Sequence, residues 1–206
     1  EGVDGTGKST QIRALESHLV SRGVPVVSTR EPGGTRLGTI IRRAVVEAGD
    51  QPMPPTTELF LYVADRAQHV QDVIRPALES SKIVLCDRYI DSTLAYQGYG
   101  RGIDLQILRE LNQLAAGGVK PDLTLLFDCA IELALSRATS RLAQQDARAG
   151  REDRFESEKV EFHERVRAGF LELARAEPKR FRIIDASRSV VEVSQEVKSL
   201  IDRELV

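Results

Sequence analysis

The sequence has little of several features that mark specialised protein classes. It contains two cysteines, no tryptophan and one methionine among 206 residues. Cys86 and Cys129 lie far apart in apolar, strand-like runs, without the spacing of a metal site. This argues against a disulfide framework or a cysteine-ligated metal, and we expect two buried free thiols in a reducing compartment.

An excess of one charge sign and a long hydrophobic run are also missing. The net charge of −2 leaves no broad basic surface, so we expect no nucleic-acid partner, although a local basic pocket for one small anion stays possible. No apolar stretch reaches the ~20 residues that span a bilayer, and no secretory signal opens the sequence. We therefore expect a cytoplasmic protein without a membrane partner.

What the sequence does contain is an alternation of strand-like and helical patterns. The strand candidates are continuous apolar runs, typical of strands covered on both faces: 24–29, 82–87, 122–128 and 181–185. Helical patterns occupy 7–22, 35–48, 57–79, 105–115, 131–143, 155–176 and 190–203. This order predicts an α/β fold with a parallel sheet and helices on both faces, organised as a single domain over 1–206.

A glycine-rich phosphate loop comes first. Residues 2–9 read GVDGTGKS, a full match to G-x-x-x-x-G-K-[ST] that leads directly into a helical pattern. Backbone N–H groups of such a loop and the helix N-terminus bind phosphate, the lysine reaches the β/γ oxygens, and the hydroxyl holds Mg²⁺. The predicted ATP-binding set on this loop is Gly2, Val3, Asp4, Gly5, Thr6, Gly7, Lys8, Ser9 and Thr10.

Two segments depart from the regular order. A phosphate loop is normally preceded by a central strand; none precedes it here, and we expect upstream residues to supply it. The polar, arginine-rich stretch at about 141–154 has no apolar stripe, and we expect a mobile flap there. The full sheet should then have five strands, the first of them absent from this sequence.

Residues suited to binding an acceptor follow the later strands. Asp87 and Arg88 come at the end of an apolar run, where ligands bind in open α/β sheets. An aspartate there can help to hold Mg²⁺, and an arginine can bind a phosphate through two parallel hydrogen bonds. Tyr62 and Arg66 are four residues apart on one helix face, but such a pair is more often part of an ordinary packed surface.

Taken together, these segments resemble the thymidylate kinase family over essentially the whole sequence. The matching segments are GVDGTGKST at the loop, EPGGT at 31–35, ADRAQH at 64–69, DRYxxSxxAYQ at 87–97, PDLTLLFD at 121–128 and DRFE at 153–156. The segment at 87–97 is the most specific of these. The resemblance implies a P-loop NTPase fold and the transfer of phosphate from ATP to dTMP with Mg²⁺, giving dTDP for dTTP synthesis.

The resemblance also implies roles for matched positions. Lys8, Asp4, Asp87 and Arg88 are implied to be catalytic, and Ser9, Asp87 and Glu156 to hold the metal ion. Arg137 is implied to lie beside the adenine. The implied dTMP-binding residues are Asp4, Glu31, Tyr62, Arg66, Arg88, Thr93, Tyr96 and Gln97.

The implied catalytic arginine of this family lies either in the phosphate loop or in the flap. The loop here contains none, so the flap is the expected location, as in bacterial members. Arg148 and Arg151 are the candidates, followed by Arg141. The family is usually a homodimer, which we expect here too.

Two alternatives stay open at this level. A kinase on the same scaffold could act on another nucleoside monophosphate or a small alcohol, which the segment at 87–97 argues against. A P-loop protein could also bind nucleotide as a switch without transferring phosphate. Such a switch would need no arginine for an acceptor phosphate, so Arg88 argues against it.

Overall fold

The computed structural model describes residues 1–46, 53–144, 155 and 158–204, the side chains of 141–144 excepted. Its strands are β1 (Val26–Arg30), β2 (Ile83–Asp87), β3 (Thr124–Asp128) and β4 (Phe181–Asp185). β1 pairs with β2 and β3 with β4, both in parallel. Each predicted strand is present within a residue or two of its predicted bounds.

The helices alternate with these strands as predicted. They are α1 (Lys8–Ser21), α2 (Arg36–Val46), α3 (Pro55–His69), α4 (Arg75–Glu79), α5 (Ile90–Thr93), α6 (Leu105–Ala116), α7 (Ile131–Gln144), α8 (Val160–Ala176) and α9 (Val190–Glu204). Local signals explain several ends. The Asp104 carboxylate accepts hydrogen bonds from the first turn of α6, and Gly117 ends that helix with a φ of 53°.

The two strand pairs meet at the first residue. The Glu1 backbone N–H donates to the Leu125 carbonyl at 2.8 Å, and the Glu1 carbonyl accepts from the Phe127 N–H at 3.0 Å. The Glu1 carboxylate accepts from the Tyr89 N–H at 2.7 Å and from the Ser92 hydroxyl at 2.6 Å. Glu1 therefore connects β3 to the segment after β2 and places the phosphate loop between the two pairs.

Two π-helical segments distinguish the observed helices from the predicted ones. The pattern at 57–79 predicts one helix, but Val70–Ile74 is π-helical and separates α3 from α4. The segment Leu94–Gly100 continues α5 as a second π-helix, which the sequence patterns did not predict. The helix predicted from 155 begins at Val160.

The second π-helix lies directly against α8. A methyl group added at Gly100 would come within 2.7 Å of the Phe162 ring, and one at Gly169 within 2.5 Å of Tyr99. Only glycine permits this close approach of the two backbones. The wide turn of the π-helix directs Tyr96 and Gln97 towards the carboxyl ends of β1 and β2.

Within the described residues, no helix is both long and apolar enough to cross a membrane.

Candidate active site

The phosphate loop lies between the two strand pairs, at the start of α1. Gly2, Gly5 and Gly7 have φ of 127°, 83° and 88°, values that other residues rarely adopt. Methyl groups added at Gly2 and Gly5 would collide with the backbone of β3 and α7. Glycine is thus required for both the turn and its packing.

Two polar side chains face each other at the end of this loop. The Ser9 hydroxyl donates to the Asp87 carboxylate at 2.8 Å, which joins α1 to the end of β2. Burial alone would raise the pKa of Asp87, but the charges of Lys8 and Arg88 outweigh it and the pKa is lowered. Asp87 is therefore ionised, and it provides a hard oxygen ligand beside a hydroxyl.

Lys8 lies within the same group of charges. Its ammonium donates to the Val3 carbonyl at 2.7 Å and is buried. Burial and the neighbouring Arg88 charge lower the pKa of Lys8 to about 8. Lys8 is still protonated at neutral pH, as a phosphate-binding lysine must be.

Asp4, Arg88 and Tyr96 form a connected group beside the loop. Arg88 donates to Asp4 at 2.7 Å and to the Tyr96 hydroxyl at 3.1 Å, and that hydroxyl donates to Asp4 at 3.2 Å. Burial would raise the pKa of Asp4, but the Arg88 and Lys8 charges lower it overall. Arg88 has a φ of 68°, a conformation rare outside glycine and frequent at functional sites.

Arg66 organises the opposite end of the site. Its guanidinium donates to Glu31 at 2.8 Å, to the Thr93 hydroxyl at 2.9 Å, to the Tyr89 carbonyl at 3.0 Å and to Asn112. Only 1% of Arg66 is exposed. The guanidinium has five N–H groups, and four of them have these partners within the described part of the chain.

A second ring of buried groups surrounds Glu31. His69 bonds through Nδ1 to the Glu31 carboxylate at 2.8 Å and through Nε2 to the Thr29 hydroxyl at 2.6 Å. Asp65 accepts from the Gly33 N–H at 3.1 Å, while its other oxygen is buried without a hydrogen-bond partner. Burial and the Glu31 charge raise the pKa of Asp65 to about 6.

These groups surround one open pocket. All eight residues predicted to bind dTMP line it: Asp4, Glu31, Tyr62, Arg66, Arg88, Thr93, Tyr96 and Gln97. They come from the phosphate loop, the loop after β1, α3 and the segment after β2. The structure thus brings together residues that are up to 93 positions apart in the sequence.

Arg137 lies apart from this pocket. It donates to the carbonyls of Ala186 and Ser187, at 2.6 Å and 3.3 Å, and so contacts the turn between β4 and α9. Arg148, Arg151 and Glu156 lie outside the described residues, as does the side chain of Arg141. Their predicted roles, and the flap itself, stay predictions.

Several residues of the site were given no role from the sequence. Arg42, Ser92 and Phe155 line the pocket, and His69 and Asn112 hold its buried wall. Ser92, Phe155 and His69 each lie within a matched family segment, at 87–97, 153–156 and 64–69. Arg42 and Asn112 lie in helical patterns of ordinary composition, outside every matched segment.

Parallel strands, a phosphate loop leading into a helix, and a pocket with a cationic end beside that loop define a P-loop phosphotransferase. The family model described as "Thymidylate kinase" matches residues 1–197. The chain therefore belongs to the thymidylate kinase family.

Individual relatives agree with this assignment. The chain is 50% identical over 201 residues to the thymidylate kinase of Geotalea uraniireducens, covering 98% of this chain and 93% of that protein. It is 52% identical over 192 residues to that of Geotalea daltonii, covering 93% and 89%. The solved structure of the Ehrlichia chaffeensis thymidylate kinase superposes with a TM-score of 0.76 at 35% identity, covering 98% and 95%.

Proposed function

We propose that the pocket between Arg66 and Arg88 is the dTMP site of a thymidylate kinase. As a family member, the chain phosphorylates dTMP to dTDP with ATP, a step in the synthesis of dTTP. One observation carries the assignment of the pocket. All eight residues implied for dTMP line one cavity beside the phosphate loop.

The polarity of the pocket matches a nucleoside monophosphate. Arg88 provides a cation for the acceptor phosphate at the end that adjoins the phosphate loop. Arg66 and Thr93 provide polar groups for a base at the other end. Tyr62, on α3, also lines the pocket. Tyr96 lies between the two ends and occupies space beside the sugar, which favours a deoxyribose.

The donor side is the phosphate loop and its metal. A magnesium ion fits the hydroxyl of Ser9 and the ionised carboxylate of Asp87, which are 2.8 Å apart and both hard oxygen donors. When bound with ATP, it would neutralise charge on the phosphates. The described residues include no cluster of three or more His, Cys, Asp and Glu that could hold a metal by themselves, consistent with a metal ion that arrives with the nucleotide.

Transfer in this arrangement needs positioning and charge neutralisation but no covalent intermediate. A phosphate monoester has its second pKa near 6, so the acceptor oxygen is already anionic at neutral pH and needs no general base. Lys8 and the loop N–H groups hold the donor, and Arg88 aligns the acceptor with it. The Asp4–Tyr96 contact fixes Arg88 in this position until substrate arrives.

The experiment that tests this function measures ADP release with ATP·Mg²⁺ and each of dTMP, dUMP, dCMP, dGMP, dAMP and UMP. We expect strong preference for dTMP. Preference for another monophosphate would still support a kinase but would contradict the proposed roles of Tyr62, Thr93 and Tyr96. ATP binding without transfer to any acceptor would instead favour the nucleotide switch.

A homodimer and a cytoplasmic location complete the proposal. Ile40 of α2 and Phe60 of the adjacent α3 are 59% and 56% exposed, and together they form an apolar patch on this face. A second copy covering them would explain this exposure, and Phe60→Glu should then shift the sedimentation coefficient to that of a monomer. The reduced thiols of Cys86 and Cys129 suit a reducing cytoplasm.

A further inference from the structure

Arg101 contacts several residues of the pocket wall without lining the pocket itself. It follows the second π-helix, and its backbone N–H donates to the Tyr96 carbonyl at 2.9 Å. Its guanidinium donates to Glu58 at 3.2 and 3.4 Å and to Glu158 at 2.6 Å. Arg101 thus joins α3 to the segment just before α8.

Glu58 connects Arg101 to one pocket residue, Gln97. Its carboxylate is fully buried and accepts a 2.7 Å hydrogen bond from the side-chain amide of Gln97. A buried carboxylate needs a nearby cation to remain ionised, and Arg101 provides one. The position of Arg101 therefore determines where Glu58 lies and which way the Gln97 amide points.

Phe155 connects Arg101 to a second pocket residue, Tyr96. The Arg101 guanidinium lies 4.5 Å from the centroid of Phe162 and 5.6 Å from that of Phe155. Phe155 packs edge-on against Tyr96, with centroids 5.6 Å apart and planes at 88°. The Tyr96 hydroxyl in turn contacts both Asp4 and Arg88.

We propose that Arg101 is a positioning residue of the acceptor pocket, holding Gln97 and Phe155 at its wall. The proposal rests on the assignment of this pocket to dTMP. Gln97 and Phe155 both line the pocket, and the same guanidinium contacts Phe155 directly and Gln97 through Glu58. Without it, the Glu58 carboxylate would lose a buried charge partner and Phe155 would lose one of its packing contacts.

The test compares dTMP binding, measured by calorimetry in the absence of ATP, with KM values for both substrates. For Arg101→Gln we expect the Kd and KM for dTMP to rise about tenfold, with the KM for ATP nearly unchanged. Arg101→Lys should show an intermediate loss, because an ammonium keeps the charge but not the planar fork. A purely structural role would lower the melting temperature and weaken both substrates equally.

Arg165→Gln is the matched control. Arg165 also approaches the Phe162 ring, at 5.9 Å, and donates to the Gly100 carbonyl, but it contacts neither Glu58 nor Phe155 in the described structure. We expect its Kd for dTMP to equal that of the unmodified protein. If Arg101→Gln does not fold, Arg101→Lys, which keeps the charge beside Glu58, carries the test.

Two outcomes would overturn the proposal in distinguishable ways. If Arg88→Gln weakens dTMP binding while Arg101→Lys matches Arg165→Gln, the pocket binds dTMP but Arg101 does not position its wall. If Arg88→Gln leaves dTMP binding unchanged, the assignment of the pocket itself is wrong.

Discussion

The two arginines of the pocket, Arg66 and Arg88, are held in opposite ways. Arg66 is 1% exposed and donates to groups from the loop after β1, α5, α6 and the turn after β2. Arg88 has a 17% exposed side chain and a left-handed backbone, and within the described residues its guanidinium donates to Asp4, Ser92 and Tyr96.

This difference matches the two tasks that we propose. A base is neutral and is recognised by the direction of its hydrogen bonds. The side chain that binds it must therefore be immobile, with nearly all of its N–H groups already hydrogen-bonded to the protein. The acceptor phosphate is charged, and the product must leave the site as a diphosphate. The arginine that binds this phosphate should therefore be able to exchange its hydrogen bonds to the protein for hydrogen bonds to the substrate. The base end should therefore contribute to folding and the phosphate end to the rate.

The largest expected effect tests the base end. Arg66→Gln should lower the free energy of unfolding by about 3–5 kcal/mol, because it leaves the buried Glu31 carboxylate without its cation. Urea unfolding followed by circular dichroism measures this loss. The matched Arg88→Gln variant should lose much less, and equal losses would end the distinction between the two ends.

The reaction rate should separate the same two arginines in the opposite sense. Arg88→Gln should lower kcat/KM for dTMP by roughly 10²–10³-fold, since it removes the cation that binds and aligns the acceptor phosphate. Steady-state kinetics with dTMP varied at saturating ATP measures this. Ser92→Ala removes a 3.2 Å partner of Arg88 and serves as the control with a small effect. An Arg88→Gln enzyme with normal kcat/KM would contradict the phosphate role.

A smaller effect concerns the pH dependence of the base end. Asp65 has a pKa of about 6 in the folded protein against an ordinary value of 3.8, so the folded state binds its proton more tightly. Its stabilising contribution is complete below about pH 4 and is lost as the pH rises through 6, costing roughly 1–3 kcal/mol.

Asp65→Asn removes this titration and keeps an acceptor for the Gly33 N–H. Urea unfolding from pH 4 to 7 should therefore show a flatter profile in this variant than in the unmodified protein. Asp72→Asn, which changes an exposed carboxylate nearby, is the control. Parallel profiles for Asp65→Asn and the unmodified protein would show that Asp65 is already ionised at pH 4.

The smallest expected effect is a helix cap beside the pocket. The Thr35 hydroxyl accepts from the Gly38 N–H at 2.9 Å at the start of α2. Thr35→Ala should cost about 1 kcal/mol of stability and leave kcat unchanged. Thr39→Ala, within the same helix, is the control. A fall in kcat would show that the cap also positions the loop after β1.

The sequence predicted local structure well where one segment carries the signal. The phosphate loop and the order of strands and helices depend on neighbouring residues, so patterns and spacing identified them. The π-helix at Leu94–Gly100 was missed because it depends on close packing between two elements, Gly100 against Phe162 of α8 and Gly169 of α8 against Tyr99. No local pattern distinguishes that turn from an ordinary helix.

The family motifs named the pocket residues but not the groups that support them. His69 and Glu58 lie on α3, Asn112 lies on α6 and Arg101 follows the second π-helix, and their partners are 22 to 57 positions away. By itself, the sequence determined the class of fold, the phosphate loop and the family, because these follow from short, contiguous motifs. Only the tertiary structure decided which buried charges are paired and which arginine remains exchangeable, because pairing depends on distances across the fold and on the burial that makes an unpaired charge costly.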